Sequence, residues 1–127
     1  MFPVLQIHTF HEMAGIMAHN FPHALVVQEW GRLERAIRHV CVTYGAAPPG
    51  DSPESVARLI DKNLVHHPGV TRELVCELHV MRRLRNRCAH GEAPPITVEE
   101  TTAFAYRAWD ITSAIALGKP VTPNRRR

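Results

Sequence analysis

Apolar residues recur at spacings of three and four along most of the chain, and Pro and Gly gather between the periodic stretches. The longest such pattern holds Val26, Trp30, Leu33, Ile37, Val40 and Tyr44, which predicts a helix from about Ala24 to Tyr44. Glu34 and Arg38 form an i,i+4 pair on its outer side. Before it, Leu5, Phe10, Met13 and Met17 predict a helix from about Pro3 to His19, with a break over Asn20 to His23. After it, GAAPPGD from Gly45 to Asp51 reads as a loop, and Ser52-Pro53 reads as an N-cap with Pro at the first helical position. That cap opens a short helix to about Val65, and His66 to Val70 ends it. Thr71 caps a fourth helix that runs to Gly91. Past GEAPPI, Thr97 and Glu100 make a capping box for a fifth helix ending near Gly118. Strand-like alternation is missing throughout. The pattern predicts an all-α fold, a bundle of four to five helices, with a single domain over residues 1–118 and a disordered basic tail over 119–127.

Composition narrows the class. With 127 residues the chain is long enough to bury a real core. Its net charge of +3 is matched by Arg125, Arg126 and Arg127 alone, so any basic footprint elsewhere must be local. Three cysteines without Cys-x-x-Cys spacing argue against a disulfide framework and a cysteine zinc site, and fit a reducing compartment. Neither a signal peptide nor an apolar run of about 18 residues is evident, so a cytoplasmic protein that does not enter the membrane is expected.

The local footprint is MRRLRNRCAHGEAPP, from Met81 to Pro95. At about 100° per residue, Leu74, Leu78, Met81, Arg85 and Cys88 fall on one stripe of the fourth helix. Arg85 therefore stands where a core residue belongs, and its guanidinium needs either a carboxylate or a partner molecule. Glu12, Glu77 and Asp110 are the candidate intramolecular carboxylates. His90 lies about 140° around the helix from Arg85, so the two meet only if the helix unravels near Ala89 to Gly91 or if two copies face a common cleft. Asn86 and His90, at i,i+4, face the same way. His90 has a second possible role at this position, complementing the helix dipole and capping carbonyls.

Arg85-Asn86, three residues, then His90-Gly91, on the penultimate helix of a small all-α domain, resembles the HEPN family (higher eukaryotes and prokaryotes nucleotide-binding domains). That family's signature is Arg, four to six residues, then His, often with Asn directly after the Arg. The Arg82-Arg83-Leu84 lead-in and the Pro-rich loop before a capped helix are similar too. The resemblance spans roughly Ala24 to Leu117, with only the motif specific. It implies a metal-independent endoribonuclease without cofactor, acting as a homodimer on RNA, often as the toxin of a toxin–antitoxin or anti-phage system held by an antitoxin protein. It equally allows a non-catalytic module that binds a nucleotide, RNA or a partner protein.

These side chains suit the implied chemistry. His90 can act as base or acid near neutral pH, Arg85 can grip a phosphate bidentately, and Asn86 can orient its neighbours. Arg82, Arg83 and Arg87 can guide the RNA backbone electrostatically. Glu77, two turns before Arg85, is a possible accessory acid. Some family members carry a modified Tyr two residues after the His; Glu92 stands there here, which puts that mode of control in doubt. No metal site is expected: His8, His11 and Glu12 can share a face and His66-His67 is adjacent, but neither set has the spacing of a closed zinc site. Cys88 reads as core rather than as a reactive thiol.

Overall fold

The computed structural model describes residues 3–44, 55–90, 92 and 94–123. Among the described residues the fold is all-α, with five helices: α1 (Pro3–Asn20), α2 (Pro22–Tyr44), α3 (Val56–Lys62), α4 (Arg72–Ala89) and α5 (Val98–Ala116). A single 3-10 turn, Leu64–His66, follows α3. No helix among the described residues is long and apolar enough to cross a membrane.

The break between α1 and α2 is narrower than the sequence suggests. Only Phe21 is non-helical: its N–H donates to the Met17 carbonyl at 2.6 Å and its own carbonyl accepts from Leu25 N–H at 3.0 Å. Pro22 then opens α2, where its missing N–H costs nothing because the first-turn donors have no intrahelical partner. In α3 the cap differs from expectation. Ser52 and Pro53 lie outside the described residues, and Ser55 is the N-cap, its hydroxyl accepting from Arg58 N–H at 3.3 Å. Beginning at Val56 places Val56, Leu59 and Ile60 together on the buried face, and that burial selects the start. The predicted caps of α4 and α5 are present. Thr71 accepts from Leu74 N–H at 3.1 Å, and Thr97 and Glu100 form a reciprocal capping box with both bonds at 3.0 Å.

Helix α2 is the central element, packed against all four other helices. Its apolar face, Val26, Trp30, Leu33, Ile37, Val40 and Cys41, meets Leu59, Ile60 and Leu64, then Leu74, Leu78 and Met81 of α4, then Phe104, Ala108, Ile111 and Ile115 of α5. A smaller cluster joins Phe10, Ala14 and Ala18 of α1 to Leu25 and Ala105, with the Phe10 and Trp109 ring centroids 4.3 Å apart. Burial of these side chains is the main stabilising term, since isolated helices of this length are marginal in water.

Helix α5 closes with Gly118 at φ +67° and the Lys119 N–H returning to the Ala114 carbonyl at 2.9 Å, a Schellman-type stop. Residues 119–123, expected to begin a disordered tail, lie back on the bundle. Val121 packs against the main core, and Pro120 sits so close to Gly69 (φ +86°) that a Cβ there would come within 2.9 Å of its Cα. The apolar Val121 supplies a reason to dock that the basic character of the tail concealed. Residues 124–127 lie outside the described residues.

Candidate functional site

The site is built on the last two turns of α4. Leu74, Leu78 and Met81 are buried as the stripe requires, and Cys88 is half-buried against the same core. Burial pushes the Cys88 thiol pKa up, with Arg87 opposing, so it packs rather than reacts.

Arg85 sits at its seam position half-buried, but it takes no carboxylate among the described residues. It pairs with none of Glu12, Glu77 or Asp110; its Nη1 donates to Asn86 Oδ1 at 3.0 Å, and its buried Nε has no hydrogen-bond partner among the described residues. Glu77, the candidate accessory acid, is engaged elsewhere. Arg107 of α5 grips it bidentately, Nε to Oε2 at 2.7 Å and Nη2 to Oε1 at 2.8 Å. The geometry assigns Glu77 a structural ion pair, because Arg107 and not Arg85 faces it across the α4–α5 interface.

His90 is the C-cap of α4, with φ −98° and ψ 20°, and its N–H donates to the Asn86 carbonyl at 3.0 Å. Its imidazole is exposed. The helix therefore stays regular to Ala89, and among the described residues no hydrogen bond joins the Arg85 and His90 side chains. Asn86 joins them indirectly, holding Arg85 through its side-chain oxygen and His90 through its main-chain carbonyl. The Glu92 N–H bonds the Arg87 carbonyl at 3.2 Å, as in a Schellman closure. Gly91 itself, the expected stop, lies outside the described residues. His23 at the start of α2 donates from Nε2 to the Pro94 carbonyl at 2.8 Å, which anchors the α4–α5 connection beside the motif.

The remaining arginines of the motif also pair with no carboxylate among the described residues. Arg83 and Arg87 are exposed; Arg82 is half-buried, and its Nε donates to His79 Nδ1 at 3.4 Å. The other face of that imidazole reaches α3, His79 Nε2 to Asp61 Oδ1 at 2.8 Å. By contrast Arg38 and Arg107 each hold an acid at 3.0 Å or less. Four arginines within six positions thus carry charge that no carboxylate among the described residues pairs directly, which makes a local anion-attracting surface on one helix end.

Sequence reasoning missed Asp61, His79 and Arg107. The i,i+3 spacing of His79 and Arg82 is a signal that was available; the pairings across α3–α4 and α4–α5 were not. It also missed Glu29, a buried acid of α2. Burial raises its pKa above the ordinary carboxylate value, against Arg32 and a hydrogen bond from Gln28. Among the described residues no group of three or more His, Cys, Asp or Glu side chains is arranged to hold a metal ion. Compared with protein-family models, curated proteins and solved structures, the chain gives no match.

Proposed function

We propose that this chain is a metal-independent endoribonuclease of the HEPN type, working as a homodimer, and that its biological setting is that of a toxin or anti-phage effector. The observation that carries the reading is Arg85. A guanidinium on an apolar seam, which among the described residues has a buried Nε without a partner and one amino group held by a neutral amide, keeps its capacity for an anion.

The regular end of α4 bears on how the site would be completed. On a regular helix Arg85 and His90 stand about 140° apart, and a two-fold cleft is the arrangement in which Arg85 of one copy approaches His90 of the other. In such a cleft, one His90 removes the 2′-OH proton and the 2′-oxygen attacks phosphorus. Arg85 offsets the charge on the phosphorane, and the second His90, protonated, delivers its proton to the departing 5′-oxygen. The products are a 2′,3′-cyclic phosphate and a 5′-hydroxyl. Asn86 fixes Arg85, and Arg82, Arg83 and Arg87 draw in the RNA backbone.

The test is cleavage of a structured RNA by wild type and by His90→Ala, with EDTA present and melting measured on the same preparations. His90→Ala should lose about 10²-fold or more in rate. The same change should cost only about 1 kcal/mol of stability, since it removes a dipole interaction at an exposed helix end. Equal cleavage by the variant would remove His90 from the chemistry. A pure wild type with no cleavage would put the alternative ahead, a helical module that binds nucleotide, RNA or protein without acting on it.

A further inference from the structure

Taken at about 100° per residue, His79, Arg82, Arg83, Asn86 and His90 all fall within one sector of α4 about 100° wide. This face is continuous from the contact with α3 to the exposed imidazole of His90. Along the axis Arg82 precedes His90 by about 12 Å.

At the far end of this face, three side chains form a chain of hydrogen bonds. Asp61 accepts from His79 Nε2 at 2.8 Å, and His79 Nδ1 accepts from Arg82 Nε at 3.4 Å. An ionised carboxylate only accepts, so Nε2 donates to Asp61, while Nδ1 takes the Arg82 N–H. In this arrangement the imidazole bridges the two side chains, with Asp61 on Nε2 and Arg82 on Nδ1. The arrangement uses Arg82 Nε alone, and neither terminal amino group of Arg82 has a hydrogen bond among the described residues. Asp61 is 61% exposed while His79 is 18% exposed, so the acid is a tether at the rim rather than part of the core.

We propose that Asp61 and His79 are positioning residues that aim Arg82 at a phosphodiester of the RNA, making a backbone subsite on the strand that leads to His90. The inference rests on the ribonuclease reading and deepens it. A guanidinium with Nε fastened and both amino groups available presents a fixed fork to a phosphate, so less side-chain freedom is lost on binding than for the unfastened Arg83 or Arg87. A solvated charge would need no such tether.

The sign of one substitution separates this role from general electrostatics. Asp61 is an acid beside a cationic face, so its removal should tighten RNA binding if charge alone matters. If Asp61 positions Arg82 through His79, its removal should weaken binding.

The probe is a labelled 2′-O-methyl RNA oligomer, which lacks the attacking hydroxyl and reports binding without cleavage. Its Kd is measured by anisotropy across a salt series, with melting temperatures as a check on folding. Asp61→Ala, His79→Leu and Arg82→Ala should each weaken binding by up to about tenfold, equivalent to about 1.4 kcal/mol. His79→Gln, which keeps one donor and one acceptor, should stay near wild type. Arg82→Ala should lower the salt slope by about one, and adding Asp61→Ala to it should have no further effect. On a cleavable RNA, KM should rise with kcat unchanged.

Asp61→Ala binding as tightly as wild type or tighter, with cleavage intact, overturns the positioning role and leaves the ribonuclease reading standing. So does a Gln at position 79 that weakens binding as much as Leu. A wild type that does not bind the probe even at low salt overturns both.

Discussion

Arg107 and Arg85 both sit half-buried where the helix α4 meets its neighbours, and their surroundings are opposite. Arg107 is 12% exposed and spends Nε and Nη2 on the two oxygens of Glu77, itself 19% exposed. Arg85 has a buried Nε with no partner among the described residues and gives Nη1 to an uncharged amide. Partial burial of an arginine therefore says little about its role. What separates a closed charge from an open one is whether a carboxylate neutralises it: Glu77 compensates Arg107 through two charge-assisted bonds, whereas a neutral amide leaves the charge of Arg85 available to an anion.

The largest expected effect tests the closed side. Glu77→Ala strands Arg107 in a largely desolvated position and should destabilise the protein by about 2 kcal/mol, below the range for a fully buried pair because both partners retain some exposure. Chemical denaturation checks it. A cost near the few tenths typical of surface pairs would mean that Arg107 finds water as easily as Arg85 does, and the contrast would collapse.

Arg85→Leu tests the open side with the opposite sign. No carboxylate is orphaned, and an apolar side chain joins the stripe of Leu74, Leu78 and Met81, so stability should rise by about 1 kcal/mol. Cleavage should be lost in the same preparation. A gain in stability with loss of activity is the signature of a charge retained for function. If Arg85→Leu destabilises as much as Glu77→Ala, Arg85 is structural.

Much of the fold was legible because it depends on local rules. Apolar spacing marks the faces of α2 and α4, and Thr71, Thr97 and Glu100 mark helix starts through hydrogen bonds to their own next turn. The misplaced start of α3 arose because Ser52 and Ser55 are both competent caps, and tertiary burial of Val56, Leu59 and Ile60 decides between them. The seam position of Arg85 follows from periodicity. Its lack of an acid does not, because Glu77 is the nearest carboxylate on its own helix and only the docking of α5 gives that acid to Arg107. Asp61 and His79 meet across a turn, 18 residues apart, which no spacing rule connects.

Glu29 is the acidic counterpart that sharpens the comparison, and its expected effect is the smallest. It is 1% exposed, yet its contacts are weak: Gln28 Nε2 at 3.4 Å and Arg32 Nε at 3.6 Å, the latter side chain 44% exposed. Burial dominates these and raises its pKa from 4.5, so the folded protein holds the proton more tightly than the unfolded chain does. The stability this proton contributes is complete below the unfolded carboxylate pKa and is lost as pH rises through the folded one. As pH rises to neutral, burial of this carboxyl is thus a net cost, unlike the Arg107–Glu77 pair, whose charges compensate each other. Glu29→Gln removes the ionisation while keeping a polar side chain of the same length. It should stabilise the protein at pH 7 by less than about 1 kcal/mol, with the difference vanishing as Glu29 becomes protonated in acid. Melting temperatures of both proteins across the acid-to-neutral range check this. Parallel curves would show that Arg32 and Gln28 satisfy the carboxylate after all, and Glu29 would then belong with Glu77 among the closed charges.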